Sequence, residues 1–226
     1  MMPFSGKTDM KYSAAIFDMD GTILDTLDDL AAAVNYALSA NGMPVRTIDE
    51  VRHFVGNGVR KLIERAVPAG TDVSGINKVY ADFSLYYAGH CADRTMPYEG
   101  MKKMLAVVRS AGIKTAVVSN KDDYAVQTLV RVYFPALFDA VAGVHEGIKR
   151  KPAPDTVFEV IKRLNVIKEQ CIYIGDSEVD IETSQNAGIP CISVSWGFKG
   201  RNFLEEHGAH IIVDTVSELT DLLLRE

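Results

Sequence analysis

Ala14-Ala15-Ile16-Phe17-Asp18-Met19-Asp20-Gly21-Thr22 decides the fold: an apolar run ends in two carboxylates spaced two residues apart, with a glycine directly behind them. A run without polar alternation fits a central strand of a parallel sheet, which is buried on both faces. In open α/β sheets, ligands gather beyond the carboxyl ends of the strands. Gly21 lets the chain turn sharply at that edge. Asp18 and Asp20 therefore stand where such a sheet puts its chemistry, although aspartate is also a common turn former and the two could simply close the strand.

Outward from this stretch the pattern changes twice. Asp25-Thr26 can cap a helix with Asp28 and Asp29 in its first turn, with Leu30, Val34, Ala37 and Leu38 along its apolar stripe, ending near Gly42 and Pro44. Further helices are predicted over 48–55, 58–67 and 73–92, and no strand is expected between Leu24 and Met96. From Tyr98 the alternation of helix and strand resumes. Strands are predicted at 114–119, 140–144, 172–175, 192–194 and 211–213, and helices at 100–111, 122–132, 155–164, 179–186, 203–207 and 217–224. The spacing predicts an α/β protein with a doubly wound parallel sheet, interrupted by an all-helical insert. Residues 1–23 and 97–226 are expected to form the α/β core and residues 24–96 the inserted domain.

Composition narrows the function. At 226 residues and 47% hydrophobic content, the chain can bury a sizeable core and admit a second, smaller unit. A formal net charge of −6 argues against a broad nucleic-acid surface, which needs clustered positive charge. Cys91, Cys171 and Cys191 are far apart and form no CxxC pair, so reduced thiols and a cytoplasmic location are expected. No apolar run reaches the roughly 18 residues of a membrane span, and the Met1 to Tyr12 leader lacks a signal-peptide core. The five histidines show no metal-ligand pairing.

Polar residues recur where predicted strands end: Asp18 with Asp20, Ser119-Asn120, Lys151 within Lys151-Pro152-Ala153-Pro154, and Gly175-Asp176-Ser177-Glu178-Val179-Asp180. Each has an ordinary reading too. Ser119-Asn120 can cap the next helix, Ser177 with Asp180 approximates a capping box, and Lys149-Arg150-Lys151 can be a solvated charge run. Gly56-Asn57-Gly58 is either a helix-helix turn or a substrate loop, and Trp196 and Phe198 read as packing.

In combination and in this order, the four loops resemble the haloacid dehalogenase superfamily, and the resemblance spans nearly the whole chain. DMDGT at 18–22 followed by a helical insert resembles its phosphatase branch with a cap after the first strand of a Rossmann-like core. Gly56 to Gly58, Ser119 to Lys121, and Asn186 to Pro190 leading into Ser193 to Phe198 resemble the phosphoglycolate phosphatase-like subgroup.

That resemblance implies a Mg²⁺-dependent phosphatase acting on a small phosphorylated metabolite through an aspartyl-phosphate. Asp18 would be nucleophile and metal ligand, Asp176 a second ligand, and residue 20 a third through its main-chain carbonyl. The Asp20 side chain would be the general acid and base, held off the metal. Ser119 and Asn120 would bind the transferring oxygens, Lys151 would offset their charge, and Asp180 with Ser177 would support them from behind. Gly21 and Thr22 would line the phosphate, and Asn57 and Arg60, or Arg52, on the cap would read the leaving alcohol, Arg60 or Arg52 by pairing with a substrate carboxylate. The alternatives are an inorganic pyrophosphatase or a sugar-phosphate mutase on the same core, and, from another class, a silent binding protein. A monomer or homodimer without nucleic-acid or membrane partners is expected.

Overall fold

The computed structural model describes residues 12–225, so all of the expected leader except Tyr12 lies outside it. In chain order the elements are β1 (Ala14–Phe17), β2 (Leu24–Asp25), α1 (Leu27–Ala40), α2 (Ile48–Phe54), α3 (Val59–Ala66), α4 (Val73–His90), β3 (Met96–Pro97), α5 (Met101–Ser110), β4 (Lys114–Asp122), α6 (Asp123–Tyr133), β5 (Ala140–Val144), α7 (Asp155–Leu164), β6 (Cys171–Gly175), α8 (Glu178–Ala187), β7 (Cys191–Val194), α9 (Arg201–Glu206), β8 (Ile212–Val213) and α10 (Val216–Leu224).

Six strands form one parallel sheet in the order β5-β4-β1-β6-β7-β8. Counting these strands alone along the chain, that order is 3-2-1-4-5-6, the doubly wound arrangement. The order reverses between β1 and β6, so a crevice opens beyond their carboxyl ends. Asp18 and Asp176, the first residues after those strands, sit on its two sides.

Why β1 takes the middle follows from its composition. Every residue of Ala14–Phe17 is fully buried. Ala15 and Phe17 join the cluster on one face, with Leu105, Val117, Ile172 and Ile174. Ala14 and Ile16 join the other, with Val118, Val157, Val160 and Tyr173. Period-two side-chain alternation sends neighbours into two different cores, which is why the strand needs apolar residues at every position.

The four helices between β2 and β3 pack on one another, and their buried side chains, among them Leu30, Val34, Leu38, Leu62, Ile63 and Phe83, continue the first of those clusters. Two corrections concern this block's junction with the sheet. Strand structure does occur there: Leu24 pairs with Pro97 and Asp25 with Met96 in an antiparallel ribbon. Nor does Thr26 cap α1 through its hydroxyl. Asp29, in the first turn of α1, is buried and accepts from the backbone N–H of Arg94 and Thr95 and from Thr95 Oγ1 at 2.8–3.0 Å. It staples the entry of the block to its exit. Among the described residues no helix is long and apolar enough to cross a membrane.

Candidate active site

The β1 loop supplies two carboxylates with different surroundings. Asp18 Oδ1 accepts from Lys151 Nζ at 2.7 Å. Lys151 also donates to Asp180 Oδ1 at 2.8 Å and to the Tyr173 hydroxyl at 3.1 Å. Carboxylate oxygens of Asp18, Asp176 and Asp180 lie within 4.8 Å of one another, and all three residues are buried. Burial chiefly, with repulsion from Asp180 and Asp20, pushes the Asp18 carboxyl up to about 7, against the pull of Lys151. Asp176 is raised well above the usual range by burial and then by Asp180 and Asp18. Burial works against the Lys151 ammonium, but Asp18 and Asp180 outweigh it and hold the group protonated.

Asp20 faces elsewhere. Its Oδ1 accepts from Thr26 Oγ1 at 2.7 Å, and its Oδ2 is paired with Lys121 Nζ at 3.2 Å. The acidic cluster does not include the Asp20 side chain, so a metal contact from residue 20 falls to its main-chain carbonyl, as the resemblance implied. Physically, Thr26 and Lys121 claim both oxygens and draw them off the cluster.

The remaining expected residues divide by what they touch. Ser119 is buried and its Oγ accepts the Lys121 N–H at 3.2 Å, leaving its own proton without an acceptor among the described residues. Asn120 turns its amide onto backbone: Oδ1 accepts Lys151 N–H at 2.8 Å, and Nδ2 donates to the carbonyls of Lys151 and Gly56 at 3.1 and 3.2 Å. It is thus a clamp on the Lys151 loop rather than a free donor, and it does not cap the following helix, whose N-cap is Asp122. Ser177 donates from Oγ to Asp180 Oδ2 at 2.7 Å, and its N–H reaches the same oxygen at 3.2 Å. The capping box and the support of Lys151 are therefore one arrangement.

Gly21 and Thr22, expected to line the phosphate, are not among the residues that line the cavity. They hold Asp176 instead. Thr22 Oγ1 donates to Asp176 Oδ1 at 3.3 Å, and the Phe198 N–H donates to Oδ2 at 2.8 Å. Gly21 has φ +84°, and a Cβ there would stand 2.3 Å from Asp176 Oδ2. Only glycine permits both the left-handed turn and that approach.

The cavity, of about 50 Å³, lies between this cluster and the helical block. The block contributes Leu30, Val55, Gly56, Gly58, Val59 and Leu62. Asn57 and Arg60, expected to read the leaving alcohol, are not among the lining residues. Asn57 Oδ1 accepts from Arg65, and Arg60 is bonded to Glu64 and Asn77 on the block's own surface. Arg52 is paired with Asp49. Gly58 is where the block meets the core, since a Cβ on it would lie 2.1 Å from the Arg150 guanidinium and 3.2 Å from the Asn120 carbonyl oxygen.

Sequence reasoning missed Lys121 and Tyr87. Lys121 Nζ donates to the Tyr87 hydroxyl of α4 at 2.9 Å and is buried. Burial opposes its charge, but Asp20 and Tyr87 more than offset that and raise it above the ordinary lysine value. The signal was a lysine one residue past the Ser119-Asn120 pair; beside Asp122 and Asp123 it reads as surface.

Oxygen donors alone suit a hard cation. Three buried carboxylates against the one Lys151 ammonium leave an excess of two negative charges, which a divalent ion would neutralise. The residues present fit such an ion.

Comparison with known proteins places this geometry. The fold, with its crevice at the sheet's switch point, is a doubly wound, Rossmann-like α/β core, and the family model for haloacid dehalogenase-like hydrolases matches residues 15–194. The chain belongs to that family. It is 32% identical over 207 residues to a phosphoglycolate phosphatase of Pseudomonas syringae pv. tomato, covering 88% of this chain and 75% of the relative. It is 30% identical over 218 residues to an N-acetylmuramic acid 6-phosphate phosphatase of Pseudomonas aeruginosa, covering 96% of each. A solved structure from Lactobacillus delbrueckii subsp. bulgaricus, described as a candidate phosphoglycolate phosphatase, superposes with TM-score 0.92 at 41% identity over 96% of this chain and 100% of that one. The chain is accordingly an enzyme of the phosphatase type, in the phosphoglycolate phosphatase-like part of its family.

Proposed function

We propose that this protein is a Mg²⁺-dependent phosphomonoesterase that releases phosphate from a small metabolite with a short leaving alcohol, phosphoglycolate being the leading substrate, and that residues 24–96 act as its cap. The observation that carries the reading is the unequal treatment of the two β1-loop carboxylates. Asp18 sits in the acidic cluster against Lys151, as a nucleophile and ligand should, while Asp20 is held out of it by Thr26 and Lys121, as an acid and base should be.

Asp18 attacks phosphorus and the ester bond breaks, giving an aspartyl-phosphate and the free alcohol. Asp20 delivers a proton to the departing oxygen and then takes one from the water that cleaves the aspartyl-phosphate. Lys151 and the Ser119 hydroxyl face the charge that spreads over the transferring oxygens. Bound Mg²⁺, held by Asp18 and Asp176 with the main-chain carbonyl of residue 20, would supply the charge neutralisation that lets an anion attack an anion. The block excludes water from the first transfer.

The cavity carries Asp18, Asp20, Lys121, Lys151 and Asp176 on the core side and Leu30, Val55, Val59 and Leu62 on the block side, so the phosphoryl group meets the charged wall and the leaving alcohol the block. The short-alcohol assignment follows the phosphoglycolate phosphatases that this chain resembles. Lys199 lines the cavity without a carboxylate partner, held by a 3.5 Å contact to the His53 carbonyl and by the Phe203 ring 5.5 Å away, which makes it the lysine to meet a substrate carboxylate, the role expected of Arg60 or Arg52.

The test is phosphate release from phosphoglycolate, pyrophosphate, N-acetylmuramic acid 6-phosphate and hexose phosphates compared by kcat/KM. Phosphoglycolate should lead, and Asp18→Asn should abolish release. Faster turnover of the amino-sugar phosphate, pyrophosphate or a hexose phosphate would displace the short-alcohol assignment, and hexose-phosphate isomerisation without phosphate release would make the enzyme a mutase.

A further inference from the structure

Asp20 is held from two sides, and the two holds differ in origin. Thr26 follows it closely in the chain and is itself fully buried. Lys121 comes from the end of β4, where the register with β5 shifts between Val118 and Asp122, so the strand alone does not fix its side chain. An ammonium is a point charge on a flexible stem and aims a carboxylate only when its own position is set. That position is set by the helical block: Nζ donates to the Tyr87 hydroxyl at 2.9 Å and stands 4.7 Å from the centre of the Tyr87 ring. Tyr87 in turn is buried and stacked on Phe83, with ring centres 5.3 Å apart and planes 13° from parallel.

Without Tyr87, Lys121 has another choice, because it lines the same cavity as Asp18 and Asp176. Swinging to them would release Asp20 Oδ2.

Resting on the phosphatase reading above, we propose that Tyr87 is a positioning residue for the general acid: by holding Lys121, it makes docking of the helical block a condition for Asp20 to protonate the leaving oxygen. In the step concerned, the bond from phosphorus to the bridging oxygen breaks as the bond from phosphorus to Asp18 forms. The Asp20 carboxyl proton passes to the departing oxygen. Tyr87 touches neither, so its effect must scale with how much the leaving group needs that proton.

Two small esters separate the cases. Ethyl phosphate expels an alkoxide that needs a proton, whereas acetyl phosphate expels a carboxylate of similar size that does not. The value of kcat/KM reports the steps up to alcohol or acetate release and is the quantity to compare. General acid catalysis contributes about 10²–10⁴-fold, so Tyr87→Phe, which keeps the ring and its stack, should lower kcat/KM for ethyl phosphate roughly tenfold, and Lys121→Met roughly a hundredfold. Acetyl phosphate should change by less than about threefold in either variant, and the double variant should be no worse than Lys121→Met alone, because the two act in series. Equal losses on the two esters, or additive losses in the double variant, overturn the proposal while leaving the phosphatase reading standing. A wild-type enzyme that releases phosphate neither from these esters nor from phosphoglycolate removes that reading, and the proposal with it. Tyr87→Phe alone decides the question should Lys121→Met fail to fold.

Discussion

Substituting Asp18 by asparagine should make the metal-free protein more stable at alkaline pH while removing its activity. The native carboxyl titrates at about 7, against 3.8 for an ordinary aspartate, so between those values the folded chain keeps a proton that the unfolded chain has lost. Stability therefore falls as pH rises through that window. At about 1.4 kcal/mol per pH unit, the loss from Asp18 approaches about 4 kcal/mol by pH 8. An amide of the same shape does not ionise, and it also relieves Asp176 of a repelling charge. Against this stands the lost charged bond to Lys151, about 1.5–3 kcal/mol, partly kept by Asp180. The net gain at pH 8 should be about 1–3 kcal/mol, and near pH 4 the variant should be level with wild type or below it. Urea unfolding in EDTA at a series of pH values from 4 to 8 measures both. A wild-type stability that is flat or rises across this range, or a variant with the wild-type slope, would refute the account of the acidic cluster.

Mg²⁺ added to EDTA-treated protein should restore phosphate release and raise the unfolding midpoint, more at pH 8 than at pH 5, since ligands must be deprotonated to bind; activity that survives EDTA would remove the metal assignment. Gly21→Ala should cost about 1–3 kcal/mol from its left-handed backbone and reduce phosphate release by displacing Asp176, a change readable by thermal unfolding and turnover together; an active, fully stable variant would show that the β1 turn tolerates a side chain.

What the sequence disclosed is what depends on local composition. The Ala14–Phe17 strand declares itself because burial on both faces requires apolar residues throughout, and the loops after β4 and β6 carry their polar groups in plain order. Asp180 and Ser177 were legible as a capping box, and that box is how Asp180 is aimed at Lys151. Other features depend on distant partners. Thr26 has good capping chemistry, and nothing nearby shows that its hydroxyl goes to Asp20. Tyr87, four residues after Phe83, reads as one more aromatic on an apolar stripe. Where Arg60 on α3 and Asn57 in the loop before it send their side chains depends on how the block packs and docks, which local pattern does not reveal. A strand of two residues, like β2 or β3, is too short to show any period.

The β2–β3 ribbon brings the chain's departure toward the helices and its return side by side, with Asp25 opposite Met96 and Asp29 tying the two ends together. A segment whose ends meet can be exchanged for another of different length or composition without moving a sheet strand. The acid cluster belongs to the loops after β1 and β6 and to α8, all outside that stretch, so it would survive such an exchange. New substrates are thus reachable in this architecture by replacing one continuous stretch of chain, with the reaction itself inherited unchanged. The contacts the block makes to the site, Thr26 to Asp20, Gly56 to Asn120 and Tyr87 to Lys121, would have to be reinvented each time.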